Sequence, residues 1–512
     1  MSISSTYING LHSRYDPWRE AEKYIQHSQV SISKTTYILL EPGYGYLSKV
    51  LLNKNPQAKI LEVHCTSNLE ALSVTASQTK IAAWSPDSKI SLSAFLYSHI
   101  DDLEIGSVEV LAWPPAERLF PNAYSDLKQQ VRSFLQERRS TIHTTGKFGR
   151  LWLRNTLKRV ALLPPIISKL AVHAPVVIAA SGPSLQKALP LLADKQDSLF
   201  ILALPSSLRT LTYYNIQPNM IVHSDPGFYS NYHLRNCRSA NLQAAPLYAA
   251  GYRTARQQLL LLSTGSPVEE FFIDKLSSDA FRIKPHGTVA GIAYQLASKI
   301  SAGPIIWAGL DLCYQDIQAH TRPHSFDHLI QATCHRYAPL QDIFFRRSPL
   351  STAGEVRPTP LQSFALTRYA EWFQRLSPAL HGRFYRLFPS EVDIRAFTPI
   401  SPAEVEVLCN KPFSEAMTKQ SIELEEKAGL RALTAFSEEV LTQTAHFNAH
   451  PHTSENVLLR LKNYPLLYEL MKYTSLPLLF RLFRGSAKLD EVQGALSQTN
   501  AEIQSVIQAV NL

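Results

Sequence analysis

Cysteine is scarce in this chain. Only five cysteines occur among 512 residues, and no two of them form a C-x-x-C motif. An odd number of scattered cysteines argues against a disulfide framework and against a zinc ribbon, and it favours a reducing compartment. We therefore expect a cytoplasmic protein without a structural metal. The five are Cys65, Cys237, Cys313, Cys334 and Cys409.

Long hydrophobic runs are missing as well. The most apolar segments, such as 176–180 and 259–262, are far shorter than the roughly 20 residues that span a bilayer. The leucine-rich stretch from Pro465 to Phe483 is interrupted by charged residues, and we interpret it as a helical hairpin. The residues after Met1 do not form a basic region followed by an apolar run. The sequence thus predicts neither a membrane span nor a signal peptide.

The composition that remains is that of a globular protein of roughly two to four domains. Hydrophobic residues make up 45% and charged residues 18% of the chain, and the net charge is +9. Between Lys128 and Arg159 nine basic residues face a single acid, Glu137. Such a stretch indicates either a patch for an acidic partner or nucleotide donor, or the solvated face of a linker helix. No nucleic-acid-binding motif accompanies it, so we expect no nucleic-acid partner.

Strand and helix patterns divide the chain into four segments. Residues 1–123 begin with a strand, a glycine turn (Gly43 to Gly45), a helix and a second strand, which predicts a Rossmann-like domain that binds a ligand or serves as a scaffold. Residues 124–165 have helical spacing and predict a connector. Residues 166–400 predict a second α/β domain. Residues 401–512 predict a helical domain, with helices around 413–445, 455–473 and 489–510.

Candidate site residues follow the predicted strands of the second α/β domain. Because the carboxyl ends of parallel strands meet at one edge of a sheet, residues distant in the sequence converge there. Gly182 permits a close backbone approach, and the start of a helix offers N–H groups that suit a phosphate. The strand-end and helix-start candidates are Ser181, Gly182, Pro183, Ser184, Ser206, Asp225, Gly287, Thr288 and Asp311.

Each of these residues also has a purely structural interpretation. The turn at Ser181 to Ser184 can be a helix cap, and Thr288 can be an N-cap beside Gly287. Asp225 can hold a ribose hydroxyl or a metal ion, or it can cap the following Pro-Gly turn. His320, His324 and His328 have helical spacing, but Pro323 interrupts a helix through them. Among these histidines we prefer His320 as a general base.

At these residues the chain resembles the motility accessory factor family of flagellin glycosyltransferases. That family shares a domain with 6-hydroxymethylpterin diphosphokinase-like proteins, and the domain is similar to bacterial sialyltransferases. The matching stretches are 178–185, 208–226 with its closing Ser-Asp-Pro, 287–290, and 309–314 followed by His320. The resemblance covers about 158–320 and extends loosely to the N-terminal glycine turn. The departures are Ala180 in place of a glycine, Ser181 in place of an asparagine, Pro205 in place of a polar residue, and a loop before His320 without a glycine.

The resemblance implies two Rossmann-like α/β domains, the central one sialyltransferase-like, and a C-terminal helical domain. It also implies transfer of a nonulosonic, sialic-acid-like sugar from its CMP donor to Ser or Thr of flagellin. In this interpretation Ser184 and Tyr314 contact the donor phosphate, Asp311 belongs to the catalytic centre, and His320 takes the proton of the acceptor. The CMP-activated sugar is a substrate, and no cofactor or metal is expected.

Two alternatives of other classes stay open. The first is a pterin diphosphokinase-like enzyme that uses ATP and in which Asp225 and Asp311 hold Mg²⁺. The second is a non-catalytic flagellin-binding protein that uses the basic connector and the helical tail.

Overall fold

Two units make up the computed structural model. The first comprises Met1–Lys147 and Ser475–Glu491, and the second comprises Phe148–Thr474 and Val492–Leu512. The structure describes residues 8–28, 30–31, 35–67, 80–235, 242–251, 258–276, 279–352, 359–376, 382–409, 417–422, 424–425, 427–449 and 457–511. Cys237 and the predicted helical residues 413–416 lie outside these ranges. The predicted domain boundaries after residues 123, 165 and 400 stay predictions.

The first unit contains a four-stranded parallel sheet with the strand order β3-β2-β1-β4. Every residue of β1 is buried, as is typical of a strand inside a parallel sheet. The strands are β1 (Thr36–Leu40), β2 (Lys59–Val63), β3 (Ile81–Trp84) and β4 (Val108–Ala112). The helices that begin in this unit are α1 (Pro17–His27), α2 (Tyr46–Lys54), α3 (Leu92–His99), α4 (Pro114–Leu119) and α5 (Pro121–Ala161).

The second unit is built on a larger sheet with the order β14-β13-β12-β6-β7-β8-β9-β10-β5-β15. All strand pairs along it are parallel except β5–β15, which is antiparallel, and β11 pairs with β10 at one side. The strands are β5 (Ile166–Val172), β6 (Val176–Ala179), β7 (Phe200–Ala203), β8 (Met220–Val222), β9 (Leu242–Pro246), β10 (Gln258–Ser263), β11 (Phe281–Arg282), β12 (Ile305–Ala308), β13 (Phe384–Leu387), β14 (Thr398–Ile400) and β15 (Met417–Ile422).

Helices cover both faces of this sheet. Alternate residues of β6 contribute to two separate hydrophobic clusters: Ile178 packs with Trp307 in one, and Val177 packs with Leu189 of α6 in the other. The helices that follow β6 along the chain are α6 (Leu185–Lys195), α7 (Leu208–Tyr213), α8 (Ser230–Leu234), α9 (Pro267–Lys275), α10 (Val289–Ile300), α11 (Asp327–Gln331), α12 (Leu340–Arg347), α13 (Phe364–Gln374), α14 (Pro402–Cys409), α15 (Ala428–Ala449), α16 (Val457–Lys462), α17 (Pro465–Phe483) and α18 (Leu489–Asn511). The predicted α/β fold class is confirmed.

Two details of the C-terminal segment differ from the sequence prediction. The helix expected around 413–445 begins only at Ala428, and Met417–Ile422 form the antiparallel edge strand β15 instead. The predicted hairpin at Pro465–Phe483 is a kinked helix whose break lies at Ser475, with a φ of −144°. Pro477 explains the break, because a proline has no N–H for the carbonyl one turn earlier. Within the described ranges no helix is both long and apolar enough for a bilayer crossing.

The basic stretch lies on α5, and part of it is structural. Arg159 is buried and donates hydrogen bonds to the carbonyl oxygens of Ala249 and Ala250, at 3.1 and 2.8 Å. Arg138 forms an ion pair with Asp102 in the first unit. These arginines stabilise the units internally, and they are therefore unavailable to an acidic partner.

Candidate functional site

The carboxyl ends of β6 and β12 define the site of the second unit. The two strands are parallel neighbours, with Ala179 beside Ala308. From β6 the chain continues to β7 on one side, and from β12 it continues to β13 on the other side. The loops after β6 and β12 therefore diverge, and such a point in a parallel sheet leaves a crevice in which ligands bind.

The turn after β6 is held against the loop after β12. The N–H of Gly182 donates to the carbonyl oxygen of Gly309 at 2.8 Å, and the N–H of Ser184 donates to Oδ2 of Asp311 at 2.7 Å. Helix α6 begins just after Ser184, with Pro183 in the turn before it. The carboxylate of Asp311 thus occupies the N-terminal end of α6, where sequence analysis places a phosphate.

Asp311 is almost completely buried, and its second oxygen is not used. Burial raises the pKa of this carboxyl, although the hydrogen bond from the backbone N–H of Ser184 and the charge of Arg386 act in the opposite direction. Within the described residues, Oδ1 of Asp311 and Oγ of Ser184 are buried without a hydrogen-bond partner. At the strand ends, Oδ1 of Asp311 can accept a hydrogen bond from a ligand, and the hydroxyl of Ser184 can donate one to it or accept one from it.

Gly182 is required by this close approach. A Cβ at this position would lie 2.5 Å from both Oδ2 of Asp311 and the carbonyl oxygen of Gly309. Real Cβ atoms do not approach neighbours so closely, so any side chain would force the two loops apart. The glycine singled out in the sequence is therefore explained by the contact between the loops.

We expect Gly182→Ala to lower the free energy of unfolding by about 1–3 kcal/mol, as overpacking in a tight site typically does. It should also weaken nucleotide binding, because the loops after β6 and β12 move apart. Thermal unfolding with and without nucleotide measures both effects. Gly106→Ala is the matched control, since nothing lies within 4 Å of a Cβ there and Gly106 is not a candidate site residue. Equal stability of the two variants would contradict this account.

Arg386 of β13 holds the loop after β12 through hydrogen bonds. Its buried guanidinium donates to the carbonyl oxygens of Leu310 and Val392, at 2.7 and 2.6 Å, and to Oγ of Ser390 at 2.9 Å. Ser390 in turn donates to the carbonyl oxygen of Asp311 at 2.7 Å. Sequence analysis missed Arg386, because a single arginine in a strand pattern carries no signal before its neighbours are known.

His320 reaches the turn after β6 from the loop after β12. Its Nδ1 lies 3.0 Å from Oγ of Ser181, and the backbone N–H of Thr321 donates to the carbonyl oxygen of Ser181 at 2.7 Å. The ring of His320 stacks on that of His324, with centroids 4.7 Å apart. The surrounding protein lowers the pKa of His320, because the imidazolium would be poorly solvated there. His320 is therefore a neutral imidazole near pH 7.

A cavity of about 240 Å³ opens beside His320. It is formed by the segment between β12 and β13 and includes Tyr314, whose phenol pKa burial raises. The side chain of His320 forms part of the wall of this cavity. The lining residues are Tyr314, Ile317, Gln318, Ala319, His320, Arg322, His324, Phe326, Asp327, Ile330, Phe344 and Arg347.

The remaining predicted site residues have mostly local contacts. Asp225 is exposed, and its Oδ1 accepts the N–H of Gly227 at 2.7 Å, which is a turn cap. Thr288 caps α10 and Gly287 is exposed before it. Ser206 is half-buried after β7. In the part of the chain that the structure describes, no hydrogen bond joins these residues to Ser181, Ser184, Asp311 or His320, and no three His, Cys, Asp or Glu side chains form a metal-binding group.

The glycine turn of the first unit is covered by its own chain. Gly43 and Gly45 have positive φ angles of 65° and 80°, and His12 lies where a Cβ on Gly43 would be. Nε2 of His12 accepts the N–H of Tyr44 at 3.1 Å. Burial lowers the pKa of His12 to about 4, so this acceptor is neutral. The N–H of Tyr44, which would otherwise be available to a phosphate, therefore already has an acceptor within the protein. This favours the scaffold alternative for this domain.

The fold is that of an α/β protein with a crevice at a switch point of a parallel sheet. Its fold is that of a Maf glycosyltransferase: the structure of MAf glycosyltransferase from Magnetospirillum magneticum AMB-1 matches 96% of this chain and 82% of that chain, with a TM-score of 0.53 and 12% identity. Similarity at that identity establishes the fold.

Sequence comparison places the similarity in the central segment. Residues 153–317 match the family model described as 6-hydroxymethylpterin diphosphokinase MptE-like. An uncharacterized protein of Treponema pallidum (strain Nichols) is 29% identical over 290 residues, which are 56% of this chain and 61% of that protein. The chain therefore spans less than two thirds of this relative. Together with the fold, the MptE-like match supports the resemblance seen in the sequence.

Proposed function

We propose that this chain is a cytoplasmic glycosyltransferase that moves a nonulosonic sugar from a CMP donor to Ser or Thr of flagellin. The observation that carries the proposal is the neutral His320, which contacts Ser181 at the switch-point crevice and lines the adjoining cavity. The Maf-type fold supports transfer of a sugar. The flagellin acceptor and the CMP donor follow from the resemblance of the motifs.

The transfer needs one proton acceptor and stabilisation of the leaving group. The bond between the anomeric carbon and the phosphate oxygen breaks, and its electron pair leaves with CMP. The acceptor hydroxyl forms the new bond to the anomeric carbon and loses its proton to Nε2 of His320. Before and during this step, Nδ1–H of His320 donates to Oγ of Ser181. This hydrogen bond fixes the ring and leaves Nε2 free to accept the proton.

Tyr314 can stabilise the charge that develops on the leaving phosphate. Its raised phenol pKa keeps the hydroxyl protonated at neutral pH, so it remains a hydrogen-bond donor. Donors placed where negative charge develops lower the barrier of such reactions. Asp311 has a positioning role in this scheme, because its carboxylate joins the loop after β12 to the start of α6. The scheme requires no metal ion.

A panel of nucleotides tests the proposal. We expect CMP, CDP and CTP to raise the melting temperature of the full-length chain without Mg²⁺, since a ligand that binds only the folded state stabilises it. ATP and AMP should have a smaller effect. Ser184→Ala should reduce the shift with CMP. A response to ATP only, and only with Mg²⁺, would contradict the transferase.

One observation favours a second candidate, an ATP-dependent enzyme of the pterin diphosphokinase type. The family model that matches residues 153–317 carries that description, and Oδ1 of Asp311 is an unpaired carboxylate oxygen at the strand ends. In this candidate Asp311 and Asp225 hold Mg²⁺ for phosphoryl transfer. Release of AMP from ATP that depends on Mg²⁺ would support it, whereas release of CMP in the presence of EDTA supports the transferase.

A further inference from the structure

The cavity beside His320 carries two positive charges that form no ion pair with an acidic side chain in the described part of the chain. Arg322 and Arg347 both line it, and among the described residues neither forms an ion pair. The one acid in the lining is Asp327, whose Oδ2 accepts the backbone N–H of His324 at 2.7 Å. The guanidinium of Arg322 lies 4.0 Å above the ring of Phe344, which fixes its plane and leaves its N–H edge available.

A third donor in the same cavity has no acceptor. The side chain of His324 is only 6% exposed, and its Nε2 is buried without a partner among the described residues. Nδ1 of His324 accepts the backbone N–H of Phe326 at 3.4 Å. Burial and the nearby Arg322 and histidines lower the pKa of His324 to about 3, so the ring is neutral and Nε2 carries its proton. A buried N–H without a protein acceptor can donate to a ligand that enters the cavity.

The expected anion site at the start of α6 is occupied by the protein itself. The carboxylate of Asp311 accepts the N–H of Ser184 there, and Gly182 donates to Gly309. The cavity offers other donors to an oxyanion on the substrate, because two guanidinium groups and one imidazole N–H line it. A planar carboxylate fits the fork of an arginine, because two parallel N–H···O bonds can form.

We propose that Arg322, Arg347 and Nε2–H of His324 bind a carboxylate carried by the transferred sugar, next to the proton acceptor His320. This inference rests on the proposed transferase function and extends it by assigning recognition of the sugar carboxylate to the segment between β12 and β13. The phosphate of the nucleotide is the other source of an oxyanion, and the experiment separates the two.

Isothermal titration of the full-length chain with three probes provides the test. CMP carries the phosphate alone, CMP-N-acetylneuraminate adds a sugar carboxylate, and free N-acetylneuraminate carries only the carboxylate. We expect Arg322→Gln and Arg347→Gln each to weaken CMP-N-acetylneuraminate binding by roughly 10- to 100-fold, the range for losing a charged hydrogen bond. Their affinity for CMP should equal that of the unmodified chain. Arg347→Lys should recover part of the loss.

Arg336→Gln is the matched control, since Arg336 is an exposed arginine of the same segment that lies over Tyr337 and does not line the cavity. An equal loss for CMP and CMP-N-acetylneuraminate would assign the arginines to the phosphate and overturn the proposal. No loss for either probe would overturn it as well, with the transferase function intact. If no cytidine nucleotide binds the unmodified chain, the proposed function fails. In that case the subsite would still be supported if the chain binds N-acetylneuraminate but not its methyl ester, and if Arg347→Gln abolishes this binding. If the chain does not bind N-acetylneuraminate, the subsite is refuted.

Discussion

Replacing His320 with glutamine should lower the rate of sugar transfer by about 10²- to 10⁴-fold, the usual contribution of a positioned general base. Glutamine can keep a hydrogen bond to Oγ of Ser181, which lies 3.0 Å from Nδ1 of His320, but it cannot take the acceptor's proton. The affinity for CMP should stay the same, because glutamine keeps the hydrogen bond to Ser181, the predicted nucleotide-binding residue that His320 contacts. Initial rates with a CMP-sugar donor and purified flagellin measure the effect.

The pH dependence of the rate provides a second measurement on the same variant. The surrounding protein lowers the pKa of His320, so the base stays unprotonated at a pH where an ordinary histidine, with a pKa of about 6.5, is half charged. We expect kcat/KM to fall only below that pH, and the acid limb to be absent from His320→Gln. His328→Gln is the control, because His328 is exposed and contacts Tyr232 outside the cavity. Full activity of His320→Gln would remove His320 from the mechanism.

Replacing Glu41 with glutamine should destabilise the first unit by about 3–5 kcal/mol, the usual result when one partner of a buried ion pair is removed. Glu41 follows β1, and its Oε1 lies 2.8 Å from Nδ1 of His64, with both side chains fully buried. Burial alone would lower the pKa of His64. The hydrogen bonds and charges of Glu41 and Glu62 outweigh burial and raise this pKa to about 9. At neutral pH the substitution leaves a buried imidazolium without its closest carboxylate.

Hydrogen exchange of the full-length chain can measure this effect locally. We expect amides of β1 and β2 to exchange roughly 100-fold faster or more in Glu41→Gln, since every 1.4 kcal/mol is a factor of ten. His64 has a raised pKa in the folded state, so its contribution is present below pH 6.5 and disappears as the pH rises through about 9. The difference in exchange rate between Glu41→Gln and the unmodified chain should therefore shrink as the pH rises through about 9. Glu22→Gln on the exposed side of α1 is the control, and unchanged protection in Glu41→Gln would contradict the account.

The strands that carry the site could be predicted from the sequence. The continuous apolar runs before Ser181 and Asp311 predict buried parallel strands, and the structure places β6 and β12 there as neighbours. The convergence of Ser181, Ser184, Asp311 and His320 follows from that adjacency. The conformational role of Gly182 could be anticipated too, since only a residue without a Cβ allows two backbones to approach closely.

Other features depend on contacts that a local pattern does not contain. Residues 417–422 have helix-compatible neighbours, but the free edge of β5 provides hydrogen-bond partners that make them a strand. The start of α6 has the local sequence of a phosphate site. Its own residues do not reveal that Asp311, 127 positions further along the chain, accepts a hydrogen bond from Ser184 there. The cover of the glycine turn by His12 and the support of the β12 loop by Arg386 are likewise long-range contacts.

The neighbouring positions of β6 and β12 also have a consequence during synthesis on the ribosome. Ser184 and Asp311 are separated by 127 residues. At about 5–20 residues per second, β12 emerges roughly 6–25 s after the segment to which it pairs. In that interval β6 is an open strand edge, and such edges attract other chains. A chaperone that shields nascent β6 should therefore raise the yield of this protein, and the isolated segment 153–317 should aggregate, because it lacks β13, which covers the other side of β12.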